Sequence, residues 1–142
     1  MIRFYETLFG SKSIEQKKIT KSEYDIIAKW WPCHNWPVMP YDALPESGLI
    51  IYSESTPIVA AWLYKTDSSI SWLEFMVSNP DVDKKVRGEA IDLLINSLIE
   101  LAQSSGFKII FSSIRVPRLI KRMEECGFSV TDTKMTNMIR VL

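Results

Sequence analysis

At 142 residues the chain has the length of one domain, long enough to bury a core and too short for two. Hydrophobic residues make up 46% and charged residues 24% of it, which excludes the disordered and fibrous classes. Lys plus Arg equals Asp plus Glu at 17 each, so no broad basic surface is available to grip phosphate backbones, and nucleic acid is a disfavoured partner.

Two cysteines, Cys33 and Cys126, are too few for a disulfide framework, and the single histidine, His34, leaves them without metal-site company, so no metal is expected. The opening stretch Met1-Ile2-Arg3-Phe4-Tyr5-Glu6 lacks the long apolar centre of a leader, and no apolar run reaches the length of a membrane span. A reducing cytoplasm is the expected compartment.

Residues 1–19 show no clear period. Thr20-Lys21-Ser22-Glu23 reads as a capping box, followed by Tyr24, Ile27, Ala28 and Trp31 at helical spacing, with Pro32 as the expected stop. Four of the seven prolines fall between Pro32 and Pro45, which predicts an irregular, aromatic-rich loop. Strands are predicted over 49–53, 57–64 and 70–77, separated by turns at Glu54-Ser55 and Thr66-Asp67-Ser68-Ser69. Val86, Ala90, Ile91, Leu94, Leu98, Leu101 and Ala102 then recur at three- and four-residue spacing, a long amphipathic helix stopped at Gly106. A strand over 107–113, a short helix over 117–125 and a closing hairpin (128–131 and 135–141) complete the pattern. The expected class is mixed α/β: an antiparallel meander, a parallel strand–helix–strand crossover and a C-terminal hairpin, behind a helical N-terminal region.

A helix that leads from one parallel strand to the next offers an anion its free amides and the positive end of its dipole. Here that turn is Lys85-Val86-Arg87-Gly88-Glu89-Ala90. Gly88 and Ala90 are small, and two cations placed against the dipole call for an anion; a basic first turn with a chance glycine is the plainer reading.

The run Lys85-x-x-Gly88-x-Ala90-x-x-Leu93-Leu94 resembles the CoA-binding motif of GNAT acetyltransferases, Gln/Arg-x-x-Gly-x-Gly/Ala-x-x-Leu-Leu, with Lys85 in place of the usual Gln or Arg. Its setting is similar too, between a strand and a long helix, and the later Cys126-Gly127-Phe128 looks like the family's Gly-Phe ending. The resemblance spans about residues 49–141. More loosely, Trp30-Trp31, His34, Trp36-Pro37, Pro40, Leu44-Pro45 and Gly48 resemble small GNAT-like proteins of tailed phages.

The resemblance implies a GNAT-like acyl-CoA N-acyltransferase fold with acetyl-CoA as cosubstrate. The backbone of Phe75, Met76 and Val77 would pair with pantetheine, and the amides from Val86 to Ala90 would hold the pyrophosphate. It further implies transfer of an acetyl or short acyl group to an amine by direct attack. Glu74, read as sharing a strand face with Trp72 and Met76, is the first candidate general base, and its plainer reading is a structural carboxylate. His34 is the second candidate, or a packing residue. Trp31, His34 and Trp36 would line the acceptor cleft, although aromatics at helical spacing more often belong to a core.

Two positions depart from the family: Met123 stands where many members carry a proton-donating tyrosine, and Val116 where a pantetheine-contacting asparagine is common. They motivate a second reading, a catalytically weak CoA-binding regulatory protein. The phage likeness motivates a third, a modifier of DNA bases or of host defence proteins. The expected partners are acetyl-CoA and an amine acceptor of open class, with a homodimer as a further expectation.

Overall fold

The computed structural model describes residues 3–6 and 13–142; Met1 and Ile2, in the stretch read as lacking a leader, lie outside the described residues. Six strands form one sheet in chain order: β1 (Arg3–Glu6), β2 (Ser13–Lys18), β3 (Gly48–Ser53), β4 (Thr56–Tyr64), β5 (Ile70–Ser78) and β6 (Ile109–Phe111). The first five pair antiparallel, and β6 pairs parallel with β5. The three-stranded meander and the parallel pair after the long helix match the predicted mixed α/β class.

The helices cover both faces. Helix α3 (Lys84–Ser104) and α4 (Pro117–Glu125) pack with Leu63, Leu73, Leu94, Leu98 and Met123 on one face. Helices α1 (Lys21–Ile27) and α2 (Trp30–Cys33) pack with Ile50, Ala60, Trp62 and Val77 on the other. Each face therefore buries its own apolar set, as a sheet between helical layers must.

Local chemistry explains the boundaries. The Glu23 carboxylate accepts a hydrogen bond from the Thr20 amide at 2.8 Å and another from the Thr20 hydroxyl, closing the start of α1. Helix α1 ends at Ile27, earlier than expected, and Pro32 sits inside the first turn of α2, where its missing N–H costs nothing. Helices α3 and α4 both end in Schellman turns. Gly106 (φ +88°) and Gly127 (φ +97°) take the left-handed position, while Phe107 and Phe128 donate back to Ala102 and Met123.

Three expectations are corrected. The N-terminal region is not helical at its start, because β1 and β2 precede α1. The strand predicted over 107–113 is only three residues long. The closing hairpin is absent: no strand forms within 128–142, and Met135, Met138, Ile139, Val141 and Leu142 are all exposed. Strand-like composition makes a strand only where a partner edge is reached, and in this chain the segment reaches none.

Candidate active site

Strand β5 changes phase in its middle. Leu73 pairs with Leu63 and packs on the α3 face, whereas Val77 pairs with Ala60 and packs on the α1–α2 face. Positions 73 and 77 of a regular strand share a face, so one extra residue must intervene. The register confirms it: Ala60 pairs with Val77, but Trp62 pairs with Glu74, so two steps on β4 span three on β5. Phe75 carries the distortion at φ +60°, a left-handed conformation uncommon for an aromatic residue. The backbone at Phe75 and Met76 is thereby taken out of the regular ladder.

The other side of β5 opens at the same level. Parallel pairing with β6 covers only Ile70–Trp72 against Ile109–Phe111. Beyond it the Ser112 hydroxyl donates to the Leu73 carbonyl at 2.6 Å, and the Ser113 amide donates to Glu74 Oε1 at 2.9 Å. Past Glu74, β5 keeps β4 on one side but among the described residues has no strand on its β6 side, so bulge and splay together leave that backbone edge unpaired.

Glu74 sits at the mouth of this gap. Burial pushes its carboxyl above the usual carboxylate range, and the hydrogen bonds from Ser113 partly offset that effect. The bulge corrects one expectation: Met76 packs on the α3 side, and Glu74 instead shares its face with its cross-strand partner Trp62, on the α1–α2 side. Tyr64, not singled out from the sequence, borders the same place. Its ring meets Phe75 edge-on at 6.0 Å, its hydroxyl donates to the Ala43 carbonyl at 2.7 Å, and burial followed by the Glu74 charge raises its pKa. Its signal was faint, because a tyrosine ending a predicted strand looks like ordinary strand composition.

His34 lies elsewhere along the strand. Helix α2 ends in its own Schellman turn, with Asn35 in the left-handed position (φ 60°) and the Trp36 amide donating to the Trp31 carbonyl. That turn stacks His34 on Trp36, ring centroids 4.9 Å apart, and brings His34 Nε2 within 2.9 Å of the Ser78 carbonyl. A carbonyl only accepts, so Nε2 carries the proton. Ser78 lies four residues beyond Glu74, and the bulge shortens this to the three steps from Trp62 to Val59 on β4, roughly 10 Å at about 3.3 Å per residue. Glu74 and His34 therefore mark two ends of the exposed edge and not one catalytic pair. Trp31 is a core residue, 2% exposed and stacked on Trp62 at 5.7 Å; of the aromatics proposed for the cleft, Trp36 is half-buried.

At the start of α3 the anion site is met by the chain's own groups. Asp83 Oδ2 accepts from the amides of Lys85 (3.0 Å) and Val86 (3.3 Å), and the Asp83 carbonyl accepts from Arg87. The Arg87 guanidinium folds back onto the Val82 carbonyl at 2.7 Å, leaving its Nε buried without a partner. Gly88 and Ala90 are buried, Glu89 is half-buried and Lys85 is exposed. A Cβ at Gly88 would come within 2.5 Å of the Arg122 guanidinium, which itself bonds the Gly88 carbonyl and Asp92. The small residue thus makes room for a cation from α4.

Met123 is a buried core residue, and Val116 precedes α4 as its exposed N-cap. Cys33 donates to the Lys29 carbonyl while His34 faces Ser78, so the two adjacent residues do not pair. Burial, then the Asp92 and Glu125 charges, raises the Cys126 thiol pKa, the wrong direction for a nucleophile. Among the described residues no group of three His, Cys, Asp or Glu could hold a metal ion, and no helix is long and apolar enough to cross a membrane.

No protein-family model matches the sequence, and no curated protein matches it. The structure is similar to solved ones. The ribosomal-protein-S18-alanine N-acetyltransferase from Escherichia coli superposes with a TM-score of 0.69 at 13% identity, over 84% of this chain and 79% of that one. The aminoglycoside N-acetyltransferase AAC(6')-Iy, in complex with CoA, gives 0.64 at 18% identity, over 95% and 100%. N-acetylglutamate synthase from Neisseria gonorrhoeae, complexed with coenzyme A and L-arginine, gives 0.66 at 14%, over 84% of this chain and 28% of the larger protein. With its mixed sheet, bulged and splayed β5 and long crossover helix, the chain has the GNAT-type acyl-CoA N-acyltransferase fold.

Proposed function

We propose that the protein transfers an acetyl or short acyl group from acetyl-CoA to an amine. The observation that carries this reading is the conjunction on β5 of a bulge, a splay from β6 and a half-buried carboxylate at the opening. An extended, amide-bearing chain fits such an edge because it can hydrogen-bond as an added strand would. The pantetheine arm of CoA is such a chain. The three solved structures just described are two N-acetyltransferases and an N-acetylglutamate synthase, two of the three with CoA bound.

In this reading the CoA arm lies along Phe75, Met76 and Val77, and its diphosphate reaches the start of α3. The fit there is conditional. Lys85 and Arg87 supply charge, but Asp83 already occupies two amides and must turn away for a phosphate oxygen to replace it.

The amine nitrogen attacks the thioester carbon, its C–S bond breaks, and the sulfur departs as thiolate. The nitrogen loses one proton, which in this reading Glu74 accepts; its raised pKa brings it nearer the range in which a base works at neutral pH. The buried Met123 provides no donor for the thiolate, which takes its proton from water. That same burial favours a second reading in which the chain binds CoA with little turnover.

The test is thiol release from acetyl-CoA with a panel of small amines, peptides and nucleic acids. Acceptor-dependent release supports transfer. Tight CoA binding with no release for any acceptor supports the second reading, and no binding at millimolar acetyl-CoA removes both.

A further inference from the structure

Two features at the β6 end of the molecule are incomplete, and each is the complement of the other. Strand β6 ends the sheet: Ile109, Ile110 and Phe111 pair with β5 on one side and with no described strand on the other. Ile109 and Phe111 are exposed, with Phe111 stacked on Trp72 at 4.9 Å. An open, apolar edge of this kind is a template for another strand.

The second feature is the segment after α4. Past the Schellman turn at Gly127, residues 129–142 make no hydrogen bond to the other described residues. Met138 and Ile139 are each 92% exposed. In the stretch read as a strand, residues 135–141, one face carries Met135, Ile139 and Val141 beside Asn137, and the other carries Thr136, Met138 and Arg140. A strand with one largely apolar face belongs in a sheet with that face against a core, and does not suit water there.

We propose that two copies of the chain exchange these segments, each laying residues 135–141 as a strand along the open edge of the other's β6. In one chain the segment leaves its own sheet, so every copy carries a donor strand and an unfilled acceptor edge. Pairing about a two-fold axis fills both at once, whereas a one-way contact would leave one of each open and propagate. The exchanged strand would run beside the splay at Ser112 and Ser113, so the second copy would also form part of the wall of the β5–β6 gap. The proposal does not depend on the chemistry in that gap.

Light scattering of the full chain from about 1 to 100 µM should give a dimer. Ile139→Asp should give a monomer with unchanged far-UV circular dichroism. If that variant misfolds, cross-linking decides. In a Cys33→Ser, Cys126→Ser background, a copy carrying only Lys108→Cys is mixed with a differently tagged copy carrying only Asn137→Cys, then treated with a short bis-maleimide. A cross-linked product containing both tags supports exchange. A wild-type monomer over the whole range overturns it, as does amide protection of residues 135–141 in such a monomer, which would mean closure onto the chain's own β6. A dimer that survives Ile139→Asp with no mixed-tag product overturns it as well.

Discussion

Glu74 is held by Ser113 and half removed from water, which gives it two separable signatures. Glu74→Gln keeps the shape and should lower kcat by about two to four orders of magnitude, the usual range for a positioned general base, while leaving CoA affinity nearly unchanged. The loss should shrink as pH rises past the acceptor's own pKa. Activity in the parent should fall at low pH along a limb lying above the ordinary carboxylate range, and that limb should vanish in the variant. Stability carries the same signature with a definite sign. The folded state holds the Glu74 proton more tightly than the unfolded chain does, so stability falls as pH rises between the unfolded and the raised folded pKa. Glu74→Gln should remove that contribution in a pH series of Tm. His34→Gln is the contrast: it loses the bond to the Ser78 carbonyl and should affect CoA affinity more than kcat. Both residues were legible as candidates from their types and neighbours. Their separation was not, because the bulge that shifts the phase of β5 rests on a conformation of Phe75 that its residue type disfavours.

Among the elements, the start of α3 is the most testable. Asp83→Ala removes an N-cap and should cost about 1 kcal/mol of stability, yet it frees the Lys85 and Val86 amides and should tighten CoA binding. Isothermal titration paired with denaturant unfolding would register the two opposite effects in one variant. Gly88→Val should weaken binding by driving the Arg122 guanidinium from its place against α3. The β3–β4 hairpin offers a control remote from the site. Its two turn residues, Glu54 (φ 47°) and Ser55 (φ 69°), are both left-handed, so Glu54→Asn with Ser55→Gly should raise Tm by roughly 2–6 °C without touching activity. The lengths of α3, α4 and the meander strands were readable because their apolar periods are long and their caps conventional. Strand β2 was hidden, since one of its two inward positions is Gln16, a buried amide whose oxygen finds no partner. A polar residue there erases the alternation on which a strand is recognised.

For the molecule as a whole, the two helical layers clamp β5 from both faces while its exposed edge lies between them. A ligand on that edge touches the folded state alone, so acetyl-CoA should raise Tm in a concentration-dependent way, by the equivalent of about 2.7 kcal/mol at a hundred times Kd. A flat melting curve at millimolar acetyl-CoA would end the proposal of function. The fold class could be read in advance because meander, long helix and parallel strand each left a period of their own. The fate of residues 128–142 could not, because strand propensity is a property of a segment and pairing is a property of two.

The tryptophans divide along this architecture. Trp30, Trp31 and Trp62 are sealed in the layer under α1 and α2, whereas Trp72 is 39% exposed on β5 and Trp36 lies half-buried against His34. The intrinsic emission is therefore a composite of a shielded population and an accessible one. Acrylamide should quench only the second, and CoA bound along β5 should protect some of that fraction while leaving the first unchanged. Exchange of the C-terminal strands would act on the same accessible fraction through the Trp72–Phe111 stack, making fluorescence a common optical readout for events at either end of one strand.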